Sequence, residues 1–188
     1  MRIGLCVAWL LLAVASASGQ RLVPGHWGLS VGAGPSLSLH LEKSPWDWSA
    51  SFAVSRYLRG YHYLEAEVSY TRQKYYQVSH PVPVEDWVLT LGYRRHLAST
   101  WNRVMLWYAG LHYAVGFEDV NRGLYESPGL GVLRSRSTWV MGCQLTTGLE
   151  FFLSDGWQLL VHLRGQLLFH SRLFPLRPGA QLGLRWNL

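Results

Sequence analysis

Polar and apolar residues alternate along most of this chain, with a period of two. In the last segment the apolar residues at even positions 180–188 share one face, and Gly179, Gln181, Gly183, Arg185 and Asn187 share the other. A period of two is typical of a β-strand whose two faces meet different surroundings. Eight such segments follow one another, at roughly 26–34, 46–57, 61–74, 84–96, 103–117, 137–153, 157–170 and 179–188.

The segment lengths and the composition favour strands that cross a membrane. A tilted transmembrane strand needs about 9–11 residues, and each of the segments is long enough. The chain contains 10 Trp, 10 Tyr and 19 Gly, yet its mean hydropathy is only +0.04. Abundant aromatics with middling hydropathy fit a transmembrane barrel, in which only alternate residues meet lipid. We therefore predict an all-β fold, an antiparallel up-and-down transmembrane β-barrel of outer-membrane type with about eight strands.

Alternation alone does not say which face points inward. A soluble lipocalin-like barrel has the same strand number with apolar residues inside, and Gly25-His26-Trp27 resembles the opening of lipocalins. Gly, Ser and opposite charges on the polar face favour the membrane interpretation, because they suit a narrow lumen. The terminal strand with Trp186 and Leu188 favours it as well, since it resembles the strand by which outer-membrane barrels are recognised for assembly.

The connections between the segments alternate in length. Those near 58–60, 98–102 and 154–156 are short, whereas those at 35–45, 75–83, 118–136 and 171–178 are longer and carry Pro, Gly or charge. Outer-membrane barrels have short periplasmic turns and longer external loops. With an even strand number both chain ends then lie in the periplasm.

The N-terminus predicts export. Arg2 is followed by an apolar run, Ile3 to Ala15, and by the small residues Ser16-Ala17-Ser18-Gly19. This order is typical of a cleaved secretory signal peptide. We predict a signal peptide over 1–19 and one barrel domain over 20–188. Only Cys143 remains after cleavage, so the mature chain has no intrachain disulfide.

Charged residues on the predicted polar face form the main candidate site. Burying charges inside a barrel is least costly when they pair and share hydrogen bonds. We expect the three glutamates to pair with the three arginines in a luminal network made of Glu65, Glu67, Arg94, Glu150, Arg164 and Arg185. A second candidate is a partner contact on the longest loop, at Asn121 and Arg122, where Asn-Arg-Gly is equally consistent with a simple turn.

The sequence offers little sign of chemistry. His112 and His162 fall on polar faces and can meet in the lumen, which is better explained by packing than by catalysis. His170-Ser171 lies at a strand end, but adjacent strand residues point to opposite faces, which suits a Ser–His relay poorly. We expect no enzyme activity, no catalytic residue, no cofactor and no metal site. The net charge of +6 is scattered, so no direct sequence-specific nucleic-acid binding is expected.

Four stretches, in this order and spacing, resemble the TraO family of conjugative transposon proteins. They are 20–25, 116–123, 148–155 and 174–188. The family has Phe-Arg-Pro before its last strand, whereas here Pro175-Leu176 separates Phe174 from Arg177-Pro178. The chain also ends in Leu188, where the family often has an aromatic residue.

The resemblance implies a structural cell-envelope component of a conjugative transposon DNA-transfer (mating) apparatus, located in the outer membrane of a Gram-negative-type envelope. It implies other conjugative-transfer (Tra) proteins as partners, and outer-membrane lipid is expected to surround the barrel. No catalytic residue carries over from the family. The alternatives are a general small barrel for adhesion or envelope integrity and a lipid-modifying barrel enzyme.

Overall fold

The structure is a computed structural model that describes residues 23–36, 47–77, 80–120, 126–127, 131–132, 137–171 and 175–188. The predicted signal peptide of residues 1–19 and the candidate loop contact at Asn121 and Arg122 lie outside these ranges. In the described part of the chain, no helix is long and apolar enough to span a membrane.

Within the described residues, the regular structure consists of ten β-strands and one short 3-10 helix, Arg59–Tyr61. The strands that wind around the barrel follow the alternating segments closely. The bounds of all ten are β1 Trp27–Pro35, β2 Trp48–Tyr57, β3 Tyr63–Gln77, β4 His80–Ser99, β5 Met105–Val120, β6 Glu126–Ser127, β7 Gly131–Val132, β8 Thr138–Phe152, β9 Trp157–Phe169 and β10 Leu176–Asn187.

Eight of these strands form one closed antiparallel barrel in the order β1-β10-β9-β8-β5-β4-β3-β2. Each strand is hydrogen-bonded to the two strands beside it in this order. β1 closes the ring by pairing with β10 from Gly28↔Asn187 to Ala33↔Leu182. β6 and β7 form a separate two-stranded ribbon. The prediction of an eight-stranded up-and-down barrel is confirmed, and closure leaves the barrel without a free sheet edge.

The apolar face points outward. Leu111, Leu145, Leu163 and Leu182 are each between 57% and 63% exposed. The polar face lines the lumen, where Ser, Thr, Gln, Glu, Arg and His side chains are buried. A soluble lipocalin-like barrel has the opposite arrangement, so this alternative is wrong. An apolar outer wall is the arrangement that a bilayer requires.

Aromatic side chains gather in two bands on the outer wall. At the end with the longer loops, Trp48 packs against Tyr70 with ring centroids 5.3 Å apart, and Tyr70 packs against Trp87 at 4.9 Å. At the end with the short turns, Trp157 and Trp186 stack with centroids 6.3 Å apart. Two such bands are typical of a transmembrane barrel, whose aromatic girdles lie at the two levels of the lipid headgroups.

The expected loop at 75–83 is largely strand, which corrects the sequence-based assignment. β3 and β4 continue to pair as far as Gln77↔His80. Pro81 and Pro83 indicated a loop, because proline removes a ladder hydrogen bond. Both prolines lie within the first four residues of β4, which begins at His80. Proline is tolerated at the start of a strand better than in its middle, where it removes a ladder hydrogen bond.

Candidate functional site

All six residues of the predicted luminal network lie inside the barrel. They project from five strands, β3, β4, β8, β9 and β10. The side-chain period of two places each of them on the luminal face of its strand. Exposure is at most 7% for every member of the set Glu65, Glu67, Arg94, Glu150, Arg164 and Arg185. We call this set the luminal charge network.

Arg185 lies at the centre of the network. Its Nη1 donates to Glu150 Oε2 at 2.7 Å, and its Nη2 lies 3.3 Å from Glu65 Oε2. Nη2 also donates to the Tyr63 hydroxyl at 2.9 Å, and that hydroxyl donates to Glu150 Oε1 at 2.5 Å. The guanidinium lies 4.5 Å from the centroid of the Tyr63 ring. One arginine of β10 thus connects two carboxylates and a phenol from two other strands, β3 and β8.

Arg94 extends the network across the lumen. Its Nη2 lies 2.7 Å from Glu65 Oε1, and its Nη1 lies 3.0 Å from the His162 ring nitrogens. His112 Nε2 is 3.5 Å from Glu65 Oε1, and His162 Nε2 is 3.5 Å from Glu150 Oε1. The two histidines therefore join one network through different glutamates.

Arg164 and Glu67 form the remaining pair, with Nη1 and Oε1 separated by 3.4 Å. A cavity of about 10 Å³ lies nearby, lined in part by Glu67, Gln181 and Ser51. That volume accommodates about one water molecule. At the level of the network the large side chains of the charged residues are buried inside the barrel.

Glycine on the luminal face makes room for these large side chains. A Cβ built at Gly110 would lie 2.8 Å from Arg94 Cγ, 2.9 Å from His112 Cε1 and 2.6 Å from Thr146 Oγ1. A Cβ at Gly28 would lie 2.9 Å from Arg185 Cδ. These separations are shorter than normal van der Waals contact, so the small residues of the polar face complement the arginines and histidines opposite.

The network is electrically balanced, with three arginines and three glutamates. Each carboxylate has a guanidinium within 3.4 Å. Buried pairs hold together only when their remaining hydrogen-bonding groups are also satisfied, and removing one partner leaves an uncompensated charge. Within the described ranges, no three His, Cys, Asp or Glu side chains are grouped to hold a metal ion. The arrangement is that of a plug that ties the strands together.

A second polar group lies toward the opposite end of the lumen. Arg177 pairs with both Asp86 and Glu118, and Ser171 donates to Glu118 Oε2 at 2.7 Å. We call these four residues the outer cluster. Sequence reasoning missed it because 118–136 and 171–178 were assigned to loops. Extending the polar face one step beyond the predicted segments 103–117 and 179–188 identifies Glu118 and Arg177. Asp86 continues the same luminal parity within the predicted segment 84–96.

An apolar layer made of Val88, Ala114, Val140 and Leu168 is also buried inside the barrel. Leu168 breaks the polar alternation of β9, and Val88 does the same in β4. Apolar residues on an otherwise polar face therefore mark a packed layer within the lumen.

The family comparison covers nearly the whole described chain. The model of the family described as "Conjugative transposon protein TraO" matches residues 23–188. This chain belongs to the TraO family. The match runs from the residues before β1 to the end of β10, so the complete barrel is the part shared with other TraO-family proteins.

Solved structures similar to this TraO-family chain are outer-membrane barrels. Neisserial surface protein A matches at 15% identity with a TM-score of 0.60, covering 87% of this chain and 97% of that one. Ail, the attachment invasion locus protein of Yersinia pestis, matches at 14% identity and 0.58, covering 88% and 100%. The N-terminal barrel domain of Pseudomonas aeruginosa OprF matches at 11% identity and 0.57, covering 88% and 98%. At such low identity these matches show the fold alone. No protein of curated function matches the chain.

Proposed function

We propose that this TraO-family barrel is a structural component of a conjugative transposon DNA-transfer apparatus, placed in the outer membrane. The observation that carries the proposal is the family match over residues 23–188, which spans the complete barrel. The apolar outer wall between two aromatic bands supports the membrane location. The signal peptide predicted from the sequence supports export.

The filled lumen supports an anchoring role rather than a conducting one. An eight-stranded barrel has an interior just wide enough for side chains to fill, whereas the barrels of porins with about 16–18 strands leave an aqueous channel. Here the luminal charge network and the outer cluster both cross the interior. The DNA would therefore pass through another part of the apparatus, and this barrel would contact its partners through its ends.

The turn between β4 and β5 is the most suitable partner contact among the described residues. Trp101 in this turn is 99% exposed. Trp is enriched among the residues that dominate binding energy in protein interfaces. We propose that Trp101 inserts into another transfer protein in the periplasm. No catalytic step forms part of this proposal.

A mating assay tests the proposed function. Deletion of the gene in the donor should abolish or strongly reduce transfer, and the wild-type chain should restore it. Trp101→Ala should restore it poorly while the protein still shows heat-modifiable gel migration, the sign of a folded barrel. Asp155→Ala, in the turn between β8 and β9, is the matched control and should restore transfer fully. Normal transfer in the clean deletion would contradict the proposal.

Two further measurements separate the alternatives. The chain should be recovered in the outer-membrane fraction, and recovery in the soluble periplasm would contradict the location. If the protein were a lipid-modifying enzyme, the lipid A of cells with and without it should differ by mass spectrometry. We expect an unchanged profile.

A further inference from the structure

Four exposed arginines cluster at the end of the barrel where the short turns lie. They are Arg56, Arg59, Arg95 and Arg103, on or between the adjacent pairs β2–β3 and β4–β5. We call this set the basic rim. The stretches 48–64 and 87–117 around it contain no Asp or Glu. The turn between β8 and β9 differs, since it carries Asp155.

Two of these arginines lie on the outer wall at the aromatic band. Arg56 is opposite Trp27 in the register of β1 and β2, and its guanidinium lies 5.4 Å from the Trp27 ring centroid. On its other side Arg56 is opposite Leu64, which is opposite Tyr93. Arg95 is the next residue beyond Tyr93 on the same face of β4. Both side chains therefore lie where tryptophan and tyrosine mark the headgroup level.

The basic rim has no acidic partner within the described chain. None of its four guanidiniums has a carboxylate within salt-bridge distance among the residues that the structure describes; Arg103 instead donates to the Tyr61 hydroxyl at 2.5 Å. Arg72, at the opposite end of the barrel, lies 3.8 Å from Glu85. The positive charge of the rim is thus left for an external anion, and a guanidinium matches the planar geometry of phosphate oxygens.

We propose that the basic rim binds the phosphates of anionic phospholipids in the inner leaflet of the outer membrane. The inference rests on the membrane location given under the proposed function, because that location places the short-turn end in the periplasm. Unpaired arginines at headgroup level, next to amphipathic aromatic rings, are suited to an anionic lipid surface. Bound lipid would fix the depth and tilt of the barrel at β2–β4.

Native mass spectrometry of the folded chain in a neutral detergent tests the proposal. Phosphatidylglycerol and phosphatidylcholine of the same acyl chains are added in equal amounts, and the retained lipid is counted. The wild-type chain should retain phosphatidylglycerol preferentially. Arg56→Gln combined with Arg95→Gln should reduce that preference by about fivefold per arginine removed.

Three controls keep the test decisive. Arg72→Gln removes one positive charge at the opposite end and should leave the preference unchanged. Arg56→Lys combined with Arg95→Lys keeps the charge and should restore most of it. Heat-modifiable migration shows that every variant is folded.

Equal retention of the two lipids by the wild-type chain, or an unchanged preference in the glutamine variant, would overturn the proposal. Displacement of phosphatidylglycerol by millimolar inorganic phosphate alone would identify a free-phosphate site and would overturn it too. The assay contains no transfer proteins, so a negative result here is distinct from a failure of the proposed role in conjugation.

Discussion

Leu184 and Arg185 are adjacent in β10, yet they lie in opposite surroundings. Leu184 is 41% exposed on the outer wall, and Arg185 is fully buried at the centre of the luminal charge network. In a soluble barrel the exposures of two such residues would be reversed. From this comparison we infer that the outer wall depends on a lipid environment for its stability, whereas the interior depends on the pairing of its charges. The two faces should therefore respond differently to the same kind of substitution.

The largest effect is expected on the luminal face. Arg185→Met leaves Glu150 without its guanidinium and should lower the free energy of unfolding by about 3–5 kcal/mol. Tryptophan fluorescence during urea unfolding of the barrel in lipid vesicles measures this. The combined variant Arg185→Met and Glu150→Gln should recover part of the loss, because it removes the uncompensated charge. A single-variant loss below about 1 kcal/mol, typical of exposed pairs, would show that the network does not stabilise the barrel.

A charge on the outer wall is expected to cost somewhat less. Leu182 is 58% exposed on the outer wall. Along the outer face of β10 it comes after Leu184 when counted from Trp186, so it lies further from the aromatic band. Leu182→Arg should lower the free energy of unfolding in vesicles by about 2–4 kcal/mol, because the guanidinium must enter the hydrocarbon. Leu182→Val keeps the site apolar and is the control. A near-neutral result for the arginine variant would mean that this face does not meet lipid.

A single methyl group should distinguish the two faces more finely. Gly110→Ala places a Cβ against Arg94, His112 and Thr146 and should cost about 1–3 kcal/mol by overpacking. A Cβ at Gly165 would meet no atom within 4 Å. Gly165→Ala should therefore be neutral or stabilise the barrel by up to about 1 kcal/mol, since alanine loses less backbone entropy. Similar unfolding midpoints for the two variants would contradict tight luminal packing.

The smallest effect is expected at a half-exposed ion pair. Arg72 and Glu85 are 3.8 Å apart, and their side chains are 35% and 21% exposed. Arg72→Gln should change the free energy of unfolding by less than about 1 kcal/mol, because solvent screens the pair. The same urea titration measures it, at low and at high salt. A loss comparable to that of Arg185→Met would remove the distinction between luminal and surface charges.

The Gly, Ser and opposite charges of the polar face were needed to predict that this face points inward. Alternation was sufficient to predict the strands. It also placed all six network residues in the lumen, because the side-chain period of a strand is independent of what surrounds it. The individual partners did not follow from it. Arg185 lies against Glu65 and Tyr63 of β3 only because the closed barrel sets the relative heights of distant strands.

The ends of the strands were the least predictable part. The predicted link at 75–83 carries Pro81 and Pro83, yet both lie at the start of β4 and pair with residues of β3. Arg177 lies in the predicted link at 171–178, one of the longer links that carry Pro, Gly or charge. The strand propensity of a single residue therefore does not predict where a strand ends at the barrel rim. The end depends on how far the neighbouring strand extends and offers hydrogen bonds.

The seam between β1 and β10 has a kinetic consequence. The seam joins the first and the last strand of the barrel, as in the pair Gly28↔Asn187. Most other strand pairs of the barrel join strands that are consecutive along the chain. A hairpin can form as soon as both of its strands are present. The contacts of the seam are far apart in sequence, so forming them costs the entropy of closing the longest loop. Ring closure is therefore expected to be the slow step of assembly. Until it occurs, β1 and β10 each expose an edge on which another strand can add, so an assembly factor that pairs with these edges would both accelerate closure and prevent aggregation.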